Sequence, residues 1–88
     1  MKIYYSKKFI KQFKKSPKQI KIKFKERLDL FIEDRYNPTL SNHRLSGNFI
    51  NYRSINVTGD WRAIFKELEN GEVIFFVILG THSELYKN

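Results

Sequence analysis

Apolar residues recur along this chain with two different periods, and the change of period divides it. Lys2–Tyr5 is a short strand-like run, after which Ser6 is placed to cap a first helix. Phe9, Ile10 and Phe13 then supply the buried stripe of that helix. Ser16-Pro17-Lys18-Gln19 reads as the start of a second helix, with Ser16 as N-cap, Pro17 at the first helical position and Gln19 completing a capping box. Ile20, Phe24, Leu28 and Phe31 follow at spacings that fall on one helix face, and Asn37-Pro38 ends the pattern. Two antiparallel helices joined by a tight turn are the simplest arrangement.

The second half carries a strand-like pattern. Residues 39–48 are loop-like and hold His43 and Gly47, and Phe49–Val57 alternates loosely up to the turn signal Thr58-Gly59-Asp60. Trp61–Leu68 and Glu72–Leu79 read as strands joined by Glu69-Asn70-Gly71, whose Asn-Gly is a hairpin cue. Val73–Leu79 is apolar at every position, which predicts a central strand buried on both faces. The order β-α-α-β-β-β predicts an α+β fold: an N-terminal helical hairpin packed on a twisted, mostly antiparallel sheet.

Composition narrows the classes. Eighty-eight residues suffice for one domain spanning 1–88, and no repeat or linker interrupts it. The absence of cysteine removes disulfides and zinc–thiolate sites. No apolar run approaches the roughly 18–20 residues that span a bilayer, and the first residues lack the apolar stretch of a signal peptide. The expected setting is the cytoplasm, without a membrane partner.

The net charge of +8 is unevenly spread. Residues 1–30 carry eleven Lys/Arg against Glu26 and Asp29, a local balance of +9, whereas residues 31–88 balance at −1. A one-sided basic surface attracts nucleic acid or an acidic protein, and it also serves plain solubility.

Chemistry-bearing residues concentrate in the second half: His43, the Asp60-Trp61-Arg62 stretch, His82 and Tyr86. Both histidines fall at predicted strand ends, where a sheet can bring distant residues to one edge. Such a set suits RNA cleavage through the substrate's own 2′-hydroxyl. A base removes the hydroxyl proton, the oxygen attacks phosphorus, and an acid protonates the departing 5′-oxygen. Imidazole performs both transfers near neutral pH, and a guanidinium such as Arg62 stabilises the charge on the phosphoryl oxygens. Trp61 or Tyr86 could stack on a base. Each residue also has a structural use: Trp61 in the core, Asp60 in the turn, Arg62 facing solvent, Tyr86 as a plug over the sheet. The His and carboxylate positions lack metal-ligand spacing, so neither a metal nor another cofactor is expected.

Three blocks, His43-x-Leu45-x-Gly47, Asp60-Trp61-Arg62-x-Ile64-Phe65 and Gly80-Thr81-His82-Ser83-x-Leu85-Tyr86, resemble the RelE/ParE superfamily of toxins from type II toxin–antitoxin systems, nearest the YafQ-like branch. The likeness runs from His43 to Tyr86; the N-terminal helices fit by pattern. It implies two helices on a curved antiparallel sheet, and an endoribonuclease (mRNA interferase) that cuts mRNA in the ribosomal A site. It also implies a cognate acidic antitoxin that folds on binding. On this resemblance His43, Asp60, His82 and Tyr86 fall on branch positions associated with catalysis, Tyr86 replacing a Phe, and Arg62 on the arginine that meets the scissile phosphate. Asn56 stands where the branch has a further histidine, and it cannot transfer protons near neutral pH. Arg44, Arg53, Asn56 and Trp61, with Lys11, Lys15 and Lys18, are the expected RNA contacts. The shared fold leaves two other readings: a ParE-type DNA gyrase inhibitor, or an inactive relative that still binds its antitoxin.

Overall fold

The computed structural model describes residues 1–86. The chain forms β1 (Lys2–Tyr5), α1 (Lys7–Lys15), α2 (Lys18–Glu33), β2 (His43–Arg44), β3 (Arg53–Asn56), β4 (Trp61–Leu68), β5 (Val73–Thr81) and α3 (His82–Leu85). The five strands make one sheet in the order β1-β5-β4-β3-β2. Pairing is antiparallel except between β1 and β5, where Lys2 lies opposite Val73 and the strands run parallel. The α+β expectation holds, with β2 and α3 added to the predicted elements.

Ser6 caps α1 as expected, its Oγ accepting the Phe9 N–H at 2.9 Å. The predicted capping box at Ser16 is corrected. Ser16 closes α1 instead, both its N–H and its Oγ donating to the Phe13 carbonyl. With that side chain spent, Pro17 becomes the N-cap of α2 and contributes no side-chain hydrogen bond. The predicted end at Asn37-Pro38 also comes too late. Helix α2 stops at Glu33, and Asn37 caps a separate 3₁₀ turn over Pro38–Leu40 by accepting the Thr39 N–H.

The core lies between the helices and one face of the sheet. Phe9, Phe24, Phe31, Phe65 and Phe76 are buried there with Ile20, Leu40, Ile55 and Leu79. The aromatic rings pack at centroid separations such as 5.2 Å for Phe9–Phe24 and 5.4 Å for Phe24–Phe76, edge-on or tilted, as ring quadrupoles prefer. Ile10, predicted to share the buried stripe, is 43% exposed. Only the Phe9–Phe13 repeat faces inward, because one helical step turns Ile10 about 100° away. In β5 the helix-side residues Ile74, Phe76 and Leu79 are buried, while Phe75, Val77 and Ile78 on the other side are half-buried.

Two side chains tie the helical layer to the sheet. Beyond Phe76, β1 no longer covers β5, and Gln12 of α1 accepts the Leu79 N–H at 2.9 Å in its stead. At the other end Arg35 donates to Glu67 at 2.7 Å and to the Gly71 carbonyl at 2.9 Å, fastening the β4–β5 turn to the end of α2. Gly71 has φ +87, which favours glycine, and a Cβ there would stand 2.9 Å from the Arg35 guanidinium and push it aside.

Candidate functional site

Strand register decides which polar side chains meet. His43 pairs with Ser54, Ser54 with Ile64, Asn56 with Arg62, and Arg62 with Gly80. Paired residues in antiparallel strands point to the same face, and alternate residues share it. His43, Asn56 and Arg62 therefore rise from the sheet face opposite the helices. The start of α3 lies beside them, because the His82 N–H donates to the Asp60 carbonyl at 2.7 Å.

These residues line one open cleft of about 470 Å³: His43, Arg44, Asn56, Arg62, His82 and Tyr86, with Ser41, Leu45 and Ser46 completing the wall. Both imidazoles are exposed. His43 is oriented by its own backbone neighbourhood, with Nδ1 2.7 Å from the Ser41 carbonyl oxygen. A carbonyl only accepts, so Nδ1 carries the proton and the lone pair of the neutral ring is on Nε2. His82 packs against the Tyr86 ring at 4.7 Å between centroids, and Tyr86 meets Phe49 edge-on at 6.2 Å.

Arg62 is fixed by one nitrogen. Its Nη1 donates to the carbonyls of Thr58 and Gly59 at 3.0 and 2.9 Å and more weakly to that of Trp61 at 3.3 Å. The hydroxyl of Thr58 accepts the N–H groups of Asp60 and Trp61 in the same turn. The turn is thus tied from within, and through the Asp60 carbonyl it sets where α3 begins. A capping box then starts that helix. Thr81 Oγ accepts the Glu84 N–H while Glu84 accepts from both the N–H and the hydroxyl of Thr81. Those two hydrogen bonds hold the Glu84 carboxyl below its ordinary range, the backbone bond contributing most.

Other residues singled out in the sequence lie elsewhere. The exposed Asp60 does not line the cleft; its backbone carbonyl is its link to the site. Trp61 faces the helix side, packs against the core and walls a separate hollow with Lys15 and Gln12. Arg53 spends its Nε on Asn42 at 2.8 Å and covers the Tyr36 ring at 5.7 Å. Lys11, Lys15 and Lys18 are exposed on or beside α1, and none of them lines the cleft. Ser41 and Glu84, which no sequence argument selected, orient the site. The spacing Thr81-x-x-Glu84 is the signal that finds the second of them. Among the described residues no cluster of three or more His, Cys, Asp or Glu side chains stands close enough to hold a metal ion. No described helix is long and apolar enough to cross a membrane.

A family model described as "bacterial toxin of type II toxin–antitoxin system, YafQ" matches residues 1–87. No match is found among curated proteins. Among solved structures the chain is similar to YafQ from E. coli strain BL21(DE3), at 27% identity and TM-score 0.80 over 96% of each chain. It is also similar to YafQ in the E. coli DinJ–YafQ toxin–antitoxin complex, at 28% identity and TM-score 0.77 over 96% of this chain and 94% of that one. The YoeB/ParE toxin from Agrobacterium tumefaciens shares the fold at 13% identity, TM-score 0.77, over 93% of this chain and 99% of that one. With nearly its whole length matched, the chain belongs to the YafQ family of bacterial toxins of type II toxin–antitoxin systems.

Proposed function

We propose that this toxin is an endoribonuclease that cuts mRNA in the ribosomal A site by attack of the substrate's 2′-hydroxyl on the adjacent phosphorus. One observation carries the reading: two imidazoles and a guanidinium, 39 residues apart from first to last in sequence, line a single open cleft. His43 is the base, with Nε2 free to take the hydroxyl proton. His82 is the acid that protonates the departing 5′-oxygen. Arg62 keeps Nε and Nη2 for the phosphoryl oxygens while Nη1 stays anchored. Tyr86 holds the His82 ring and presents a phenol at the cleft. Asn56, opposite Arg62, offers hydrogen bonds without proton transfer. Asp60 serves through its backbone.

In the resting cell the toxin is held by a cognate antitoxin, as YafQ is in the DinJ–YafQ complex. The +9 balance of residues 1–30 suits an acidic antitoxin segment and, on the ribosome, ribosomal RNA.

His82→Ala in a programmed-ribosome assay should slow cleavage by roughly 10²–10⁴-fold. An unchanged rate removes His82 from the chemistry. Growth arrest by DNA damage with mRNA intact would replace the nuclease reading with a gyrase-directed one.

A further inference from the structure

A second hollow adjoins the cleft at Arg44. Arg44 and Leu45 line both, and the second, of about 570 Å³, continues across β3 and β4. Its other walls include Tyr52, Arg53 and Lys66. Lys66 stands over the Tyr52 ring at 5.7 Å, so an ammonium and an aromatic face open into the same space. The acidic wall residue, Glu67, is already paired with Arg35 at 2.7 Å and does little to offset the three cations. The shared wall, the cations and the ring together describe a phosphate beside a base.

We propose that this hollow is a second nucleotide subsite, which holds single-stranded RNA as it leaves the cleft. Lys66 and Arg44 take phosphates, the Lys66 ammonium leaving the Tyr52 face so that a base can stack there. An acidic peptide would satisfy the cations with its carboxylates, whereas a nucleotide brings an anion and an aromatic plane in the same unit, matching the cations and Tyr52 together. Stacking on an aromatic tolerates any base, so the subsite adds affinity and in-line positioning without selecting a sequence. The inference rests on the nuclease reading of the adjacent cleft, and its test is kept independent of cleavage.

Fluorescence anisotropy of fully 2′-O-methylated RNA, which cannot be cut, measures binding to the intact chain. A hexanucleotide should bind about tenfold more tightly than a dinucleotide. Lys66→Glu, a change on a half-exposed strand position, should abolish that gain and leave dinucleotide binding as it was. A hexamer of equal charge that keeps only the two cleft bases and is abasic elsewhere should also lose most of the gain. Equal gain in Lys66→Glu and wild type overturns the subsite, as does equal binding of the abasic hexamer. Displacement of the hexamer by a polyglutamate peptide of the same charge as effectively as by RNA assigns the hollow to a protein partner instead. Should the intact chain leave cleavable RNA uncut on programmed ribosomes, the nuclease reading fails while the length-dependent binding still decides the subsite.

Discussion

The imidazole of His43 donates from Nδ1 to the Ser41 carbonyl oxygen at 2.7 Å, and Ser41 reaches that position in the left-handed conformation, with φ 48. Two residues of loop therefore fix which nitrogen of the ring carries the proton. In ¹⁵N NMR of the neutral ring, Nδ1 should appear protonated and Nε2 bare. Ser41→Gly should preserve this, since glycine adopts positive φ freely. Ser41→Val should mix the tautomers and lower kcat more than it raises KM, because a β-branched residue is strained there. A neutral ring protonated at Nε2 in the wild type would contradict the assignment of His43 as base.

Arg62 ties the turn and, on the proposed mechanism, also meets the phosphate, so its replacement should leave two separable marks. Arg62→Ala should reduce cleavage by about 10²–10³-fold, the usual loss on removing one charge-stabilising donor. It should also speed hydrogen exchange at the His82 amide, which hangs from the Asp60 carbonyl of the turn that Arg62 ties. Slow exchange at His82 in this variant would show that the turn holds without the guanidinium.

Acid should loosen the start of α3. Glu84 titrates below its ordinary value of 4.5 because Thr81 donates to its carboxylate from backbone and side chain. A depressed carboxyl stabilises the fold fully above that ordinary value, and the contribution fades as pH falls through the lowered one. The Thr81 amide shift should follow this titration. Glu84→Gln keeps an acceptor and should flatten the profile; a profile unaltered by the substitution assigns the titration to another group.

Ser54 sits under the site with its hydroxyl fully buried and without a hydrogen-bond partner among the described residues. A buried unsatisfied hydroxyl costs about 1–3 kcal/mol. Ser54→Ala should therefore raise stability by about 1 kcal/mol, seen as a Tm higher by roughly 4–8 °C in a domain this small. A lower Tm would mean that the hydroxyl is satisfied in solution.

Much of this was legible in the residues. The spacing of Phe9, Phe13, Phe24 and Phe31 gave the helix faces, and the apolar run from Val73 gave the strand that anchors them. Hydrophobic period is a strong local signal, and burial acts on it directly. Register was not legible, and register is what sets His43 beside Asn56 and Arg62, and Trp61 on the other face. One residue of slip reverses a strand's faces, and the loose alternation before Thr58 cannot fix it. Ser16 misled for a related reason. The same Ser-Pro signal serves a helix that begins and a helix that ends, and the Phe13 carbonyl won the hydroxyl. Parallel pairing of β1 with β5 has no local signature at all, since the partners lie about 71 residues apart.

That last pairing also orders events during synthesis. The strand that seats β1, accepts α1 through Gln12 and completes the aromatic core is the fifth to leave the ribosome. Until it emerges, α1 lacks the strand it packs against, and contacts this distant form slowly. His82 lies just past the end of that strand, so the walls of the cleft come together only once β5 has joined the sheet.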